Sequence, residues 1–370
     1  MTLFQLEIQL VAAIVAGACA LPGTFLVLRS MAMMSDAISH AILPGLVVAF
    51  FLTGSLNSPL LLAGGAAVGV CTVALVELVR RTRLVREDAA IGLVFPALFS
   101  AGVILIARYA GDVHLDTDAV LLGELALAPF DRWIVGGYDL GPQALYTMST
   151  VALASVLFVT LFYKELQLAT FDAALAATLG LMPVVLHYAL MALVSVTAVA
   201  AFDAVGSILV VALMVGPPAA AHLLTDRLDR MVFLGVGIGV GCAVSGYWLA
   251  HALDASIAGS MATTVGVAFL YVFLFAPARG VVAVQRRRRR QRWTFACKML
   301  TIHLMQHENL PDAALECHID HLQDHLRWEV DFAGNVVRQA TQAGLIGQVG
   351  SQLVLTTAGR RLANEAIVRD

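Results

Sequence analysis

The feature that most limits what this chain can fold into is a repeated one: along its first 280 residues, apolar runs long enough to cross a hydrocarbon core follow one another. About 18 to 22 apolar residues in helical form span a bilayer. Such runs lie near 7–28, 37–54, 59–79, 89–107, 144–162, 181–201, 204–223, 231–251 and 259–277. They predict an all-α polytopic membrane protein with about nine transmembrane helices, the second and seventh interrupted by polar or Pro/Gly residues. Composition agrees, since 59% of the 370 residues are hydrophobic and 13% charged, where a soluble domain has about a quarter charged. The first run has no basic segment ahead of it and is long enough to span, so it reads as a retained helix rather than a cleaved signal. Cys19, Cys71, Cys242, Cys297 and Cys317 share no CxxC spacing. They read as small apolar residues and imply neither a disulfide framework nor redox chemistry.

Basic residues orient the spans, because short loops rich in Lys and Arg stay in the cytoplasm. The densest are RRTRLVRED (80–88), TDRLDR (225–230) and ARGVVAVQRRRRRQR (278–292). With nine spans, placing these three inside also places Arg29 and Lys164 inside. The N-terminus is then expected outside, the C-terminus inside, and the loop 109–142 outside. Arg108 and Arg132 are the exceptions. The arginine run at 286–290 abuts the last span, so residues 281–292 are expected to be a basic membrane-surface linker rather than a nucleic-acid patch.

Within this apolar frame, MSDAISHAILPG (34–45) places Asp36 and His40 four residues apart. On a helix they share a face, one turn from each other. An ionisable group at membrane depth costs at least ~2.5 to 3.5 kcal/mol on insertion scales, so two together need a reason. A carboxylate oxygen with an imidazole nitrogen suits Mn2+, Fe2+ or Zn2+, and the lack of a thiolate or thioether cluster speaks against Cu(I). Pro44-Gly45 follows, where a helix can unwind and free carbonyls to line a path. The alternative is structural: Asp36 caps the second helix and His40 hydrogen-bonds a neighbouring one.

Five blocks then occur in order: SDAISHAILPG, EDAAIGLVFPALFSAGVILI (87–106), VLLGELALAPF (120–130), KELQLATFDAALAATLGL (164–181) and FDAVGSILVVALMVGPPAAAHLLTDRL (202–228). Together they resemble the signatures of the permease subunits of manganese, zinc and iron ABC importers, over about residues 1–280. The resemblance implies a type II ABC importer-like helical subunit of a bacterial plasma membrane. Two permease copies, or this chain and a sister permease, would form the pathway. Separate subunits would supply ATP hydrolysis and capture of extracytoplasmic metal. It places Asp36 and His40 on the metal pathway, with the carried Mn2+, Zn2+ or Fe2+ as cargo and no cofactor bound permanently.

Asp203 begins the segment with Gly206, Gly216, Pro217 and Pro218, and is read as either a helix N-cap or a pathway carboxylate. Glu124, in GELALAP, resembles the re-entrant segment of such permeases, where a rim carboxylate draws in cations or docks a binding protein; a solvated loop residue is the alternative. His187 and His251 stand alone in apolar runs and are expected to hydrogen-bond between helices. Asp112, His114, Asp116 and Asp118 alternate on an outer loop, either concentrating cations or merely solvated.

No GxxxxGK[ST] phosphate loop occurs in the chain, so ATP hydrolysis is expected in a partner subunit rather than here. KELQLATFDAALAATLGL reads as a helix between two spans, with Thr170 or Asp172 as cap and Gly180 as stop. The resemblance implies the ATPase-coupling helix here, carried by Phe171, Asp172, Leu175 and Gly180. Two other classes stay open: a secondary metal transporter, whose mark is paired inverted repeats with broken helices in both halves, and a membrane-tethered metal-responsive regulator acting through the C-terminal region.

From residue 293 the chain turns polar, and 293–370 reads as a separate small α+β cytoplasmic domain. VVRQATQAGLIGQVGSQLVLTTAGRRLANEA (336–366) reads as helix, turn, two strands and a helix capped at Thr356 or Thr357, the order of a winged helix. LTTAGRRLA resembles the wing-to-helix junction of iron-dependent repressors. Six Lys or Arg stand against nine Asp or Glu in this region, a poor match for a polyanion. Docking or sensing is therefore expected rather than DNA binding. His318, His321 and His325, beside Cys317, can share one helical face and hold a regulatory metal ion.

Overall fold

The apolar runs close into helices wherever their backbone groups must be satisfied without water. The computed structural model describes residues 2–54, 59–109, 125–135, 138–311, 313–322 and 326–368. It divides into two units, Met1–Gly280 and Val281–Asp370.

In the first unit the chain forms α1 (Leu3–Leu28), α2 (Met33–Ala41), α3 (Leu43–Thr53), α4 (Pro59–Arg81) and α5 (Glu87–Tyr109). After the strands β1 (Arg132–Val135) and β2 (Tyr138–Pro142) come α6 (Gln143–Leu161), α7 (Tyr163–Phe171) and α8 (Ala173–Thr178). Then follow α9 (Pro183–Val205), α10 (Ser207–Leu224), α11 (Leu228–Leu253) and α12 (Ile257–Phe275). Among the described residues nine helical segments are long and apolar enough to cross a membrane, α2 and α3 counting as one. The nine expected spans are these nine.

α1 is the central helix. It packs on α6, α10 and α11, and Val11, Val15, Ala16, Cys19, Phe25 and Leu26 are completely buried. α5, α6 and α12 instead turn large apolar side chains outward, among them Leu93, Ile104, Leu153 and Val267. That is the pattern of helices whose outer faces meet lipid rather than water.

The second span breaks at Ile42, between α2 and α3. Pro44 opens α3 at a position where a missing N–H is harmless. The bond that residue 44 would have returned to the His40 carbonyl cannot form. α3 and α4 touch backbone to backbone beyond the break: a Cβ added at Gly45 would lie 2.4 Å from the Gly64 carbonyl oxygen.

The described part of the loop expected outside carries an antiparallel hairpin that no apolar alternation announced. Ile134 faces Asp139 and Arg132 faces Pro142, with one irregularity in the register between them. Arg132, an exception to the charge rule, is neutralised there. Its Nη2 lies 3.3 Å from Glu7 of α1, and its Nε contacts Asp139.

The second unit is α13 (Val281–His307), α14 (Ala313–Glu316), a 3-10 turn at Ile319–His321, α15 (Val330–Gln342), β3 (Ile346–Val349), β4 (Gln352–Leu355) and α16 (Thr357–Val368). Helix, hairpin and helix follow in the expected order, and Thr356 Oγ1 accepts from the Gly359 N–H at 3.1 Å as the cap. Leu300, Leu304, Leu322, Val336, Ile346 and Leu353 fill the core. The stretch 281–292 forms no separate linker. It is the start of the 27-residue helix α13, whose Arg292 guanidinium sits 4.5 Å over the Phe332 ring.

Candidate metal pathway

α2 presents Asp36 and His40 on one face because they are four residues apart on an unbroken helix, with Ile42 as the break beyond them. Asp36 Oδ1 and His40 Nε2 are 3.4 Å apart, and each side chain is about one-third exposed. The flanking serines take no part in this face. Ser35 donates to the Ala32 carbonyl and Ser39 to the Ser35 carbonyl, both at 2.9 Å. Asp36 is not the helix cap, since Ala32 holds that position without a side-chain bond. His40 lies against the Phe95 ring of α5, centroids 6.1 Å apart.

Asp36 opens onto a cavity of about 470 Å³ whose other walls are apolar, from Met33, Val211, Val215, Val265 and Phe269. A charged group against such walls holds a cation more strongly than water would allow, because the low dielectric strengthens the attraction. Bonds of about 2.1 Å at the tetrahedral angle set two ligand atoms about 3.4 Å apart. The 3.4 Å separation of the pair matches this spacing, and it is equally that of a His–carboxylate ion pair. Among the described residues no third His, Cys, Asp or Glu joins the two.

Asp203 lies in the last turn of α9 and is exposed. It is not an N-cap: Gly206, with φ +82°, separates α9 from α10 and holds that position. Asp203 interacts electrostatically with Asp131 beside β1, and Glu7 near the start of α1 pairs with Arg132, so these groups share one end of the bundle. Glu124, Asp112, His114, Asp116 and Asp118 lie outside the described residues.

The other end is reached by following α1 for 26 residues, about 39 Å at 1.5 Å per residue. Arg29 there donates from Nε to Thr170 Oγ1 at 3.2 Å, and its Nη1 lies 3.2 Å from His187 Nδ1. One guanidinium thus joins α1, α7 and α9. Beside it Tyr188 Oη donates to Glu77 at 2.6 Å. His187 does make the interhelical contact expected of it. His251 is exposed and lies edge-on to Trp248 of its own helix.

The segment expected as one coupling helix is two, α7 and α8. Asp172 takes a non-helical backbone conformation and caps α8, its Oδ1 accepting from the Leu175 N–H at 2.9 Å. Gly180, at φ +82°, ends it with paired bonds from Gly180 N–H to Ala177 and from Leu181 N–H to Ala176, the Schellman arrangement that favours glycine. Leu166 and Ala176 anchor the segment, while Phe171, Leu175, Leu179 and Met182 are left exposed.

A sequence model described as the ABC 3 transport family matches residues 2–276. The chain belongs to this family. Among its relatives, the zinc transport system membrane protein TroD of Treponema pallidum is 46% identical over 97% of both chains. The manganese transport system membrane protein MntD of Bacillus subtilis is also 46% identical, over 77% of this chain and 96% of its own. The solved structure of PsaBC from Streptococcus pneumoniae in complex with Fab matches at a TM-score of 0.63 and 27% identity, covering 77% of this chain and 96% of that one. The protein is an ABC transporter permease of the membrane-embedded, multi-pass kind, as its blocks of sequence implied.

In the second unit, Cys317, His318 and His321 do not share a helical face. α14 ends at Glu316, Cys317 lies in a turn, His318 bridges to Gln352 and His321 closes the 3-10 turn; His325 lies outside the described residues. Cys317 is buried, and its thiol is pushed up from the usual range mainly by desolvation, with Glu308 and Glu316 adding to it. The side chains that do converge are His303, His307 and Glu316. The four-residue spacing of the two histidines was visible in the sequence, but the carboxylate meets them only through the turn that follows α13.

Proposed function

We propose that this permease carries a divalent transition-metal ion, Mn2+, Zn2+ or Fe2+, along a pathway that passes Asp36 and His40. The observation that carries the reading is the Oδ1 to Nε2 separation of 3.4 Å at the edge of an apolar cavity. The relatives named for zinc and for manganese support the cargo class. A second permease copy or a sister permease completes the donor set, and Asp203 with Glu124 supplies carboxylates toward the outer end. ATP is hydrolysed by a separate subunit seated on residues 163–182, and an extracytoplasmic metal-binding protein delivers the ion. In this reading the N-terminus is outside, and the arginine-rich loops and the second unit are in the cytoplasm.

Asp36→Ala and His40→Ala are each expected to lower metal uptake at least tenfold while the chain still inserts and still binds its ATPase. Uptake of radioactive or fluorescently reported metal in a deletion strain measures this, with each ion offered as competitor to identify the cargo. Uptake at the unmutated level in both variants rules the pathway out.

A further inference from the structure

The second unit holds a convergence of donors that the transport pathway does not use. His303 and His307 are one turn apart on α13, their ring centroids separated by 4.7 Å. Glu316 is the last residue of α14, brought back against α13 by the turn after His307. One nitrogen from each ring and one carboxylate oxygen all lie within 4.8 Å of one another. Tetrahedral coordination places such atoms about 3.4 Å apart, a contraction that side-chain rotation supplies.

The three side chains are held rather than free to wander. His303 is buried, 6% exposed, and its Nε2 lies 3.1 Å from the Glu316 carbonyl oxygen. Glu316 keeps 16% side-chain exposure, and His321 Nε2 approaches its carboxylate at 3.4 Å. A ligating carboxylate is commonly oriented by such a neighbour. Two nitrogens and one oxygen form a ligand set for Zn2+, Mn2+ or Fe2+ rather than for Cu(I), Mg2+ or Ca2+.

We propose that His303, His307 and Glu316 bind one divalent transition-metal ion, with His321 positioning the carboxylate. The ion ties α13 to the end of α14, from which the chain runs on through Cys317 and His318. That segment is in turn bonded to the β3–β4 hairpin: the Leu353 N–H donates to the Cys317 carbonyl at 2.9 Å and His318 bridges to Gln352. Occupancy therefore stiffens the hairpin through its neighbour. The inference stands apart from the transport reading, since none of these residues belongs to the membrane unit.

The test uses the full chain in detergent, with any affinity tag removed and Co2+ as a spectroscopic probe. Asp36→Ala/His40→Ala serves as background, so that the pathway pair contributes nothing. That background is expected to bind one Co2+ per chain with visible ligand-field bands, and to lose them when His307→Ala or Glu316→Gln is added. His321→Ala is expected to weaken binding about 10- to 100-fold. Because His303 lies in the core, the two ligand substitutions are made at the less buried positions. Amide exchange across 346–355 reports on folding: Zn2+ slows it in the background chain and leaves it unchanged in His307→Ala. A background that binds no ion, or full binding in both ligand variants, overturns the site. Neither result bears on Asp36 and His40, which uptake alone tests.

Discussion

Asp36 and His40 show how little a single residue's identity says and how much its spacing says. Either one alone in an apolar helix has a structural reading as a cap or a helix-to-helix bond. Four residues apart on one unbroken helix they meet 3.4 Å from each other, and that meeting was legible from the sequence because helix geometry fixes it. Asp203 was not legible in the same way. Its reading as a cap depended on where α10 begins, and the backbone of Gly206 at φ +82° decided that. Arg132 was equally opaque, because its partner Glu7 is 125 residues away. Its guanidinium hydrogen-bonds Asp139 and holds that carboxyl below its usual range, with the Gly141 N–H adding to the effect. A depressed carboxyl stabilises the folded hairpin fully above its unfolded value near ~3.9 and loses that contribution as pH falls through the lower folded value. Amide exchange across 132–142 is therefore expected to quicken only on the acid side of about pH 4, and Asp139→Asn is expected to abolish that pH dependence.

Elements were legible where length and apolar content decide them, and less so where a local backbone choice does. The nine spans follow from hydrocarbon thickness, whereas the break in the second span falls at Ile42 rather than at Pro44-Gly45 because proline begins a helix as readily as it ends one. The hairpin is not legible in the sequence because four- and five-residue strands beside a loop leave no periodic trace. Close packing of α3 on α4 makes a sharp prediction. Gly45→Ala places a methyl 2.4 Å from a backbone oxygen, and overpacking of this kind costs about 1 to 3 kcal/mol. Gly92→Ala meets nothing within 4 Å and is expected to be neutral or stabilising by up to ~1 kcal/mol. Thermal unfolding midpoints in detergent separate the two. The α7–α8 pair carries a second prediction. Phe171 and Leu175 are 63% and 46% exposed on a segment that Arg29 ties to α1 and α9, and in the proposed reading this exposed apolar cluster is where the separate ATPase subunit docks. Phe171→Ser with Leu175→Ser is expected to weaken association with the ATPase at least tenfold while helical content is kept, as read by co-purification and circular dichroism.

At the scale of the whole molecule, two boundaries drawn independently agree. The family match ends at residue 276 and the first compact unit ends at Gly280. MntD is matched over 96% of its length by 77% of this chain, whereas TroD is matched over 97% of both. A manganese-named relative is thus matched almost in full by 77% of this chain, while a zinc-named relative is matched along 97% of it at the same 46% identity. Identity alone does not choose the ion. The membrane unit has its own buried core around α1, and every pathway and coupling candidate lies within residues 1–280. Removal of the second unit is therefore expected to leave transport possible and to remove only what that unit adds. A chain stopped after Gly280 should insert, associate with its ATPase and take up metal at a rate within a few-fold of the full chain at low external metal. It should lose the Co2+ site assigned to His303, His307 and Glu316. Uptake measured across a range of external metal concentrations checks this: a rate that matches the full chain at low metal but exceeds it at high metal gives the second unit a restraining role, and loss of uptake at every concentration shows that the membrane unit cannot work without it.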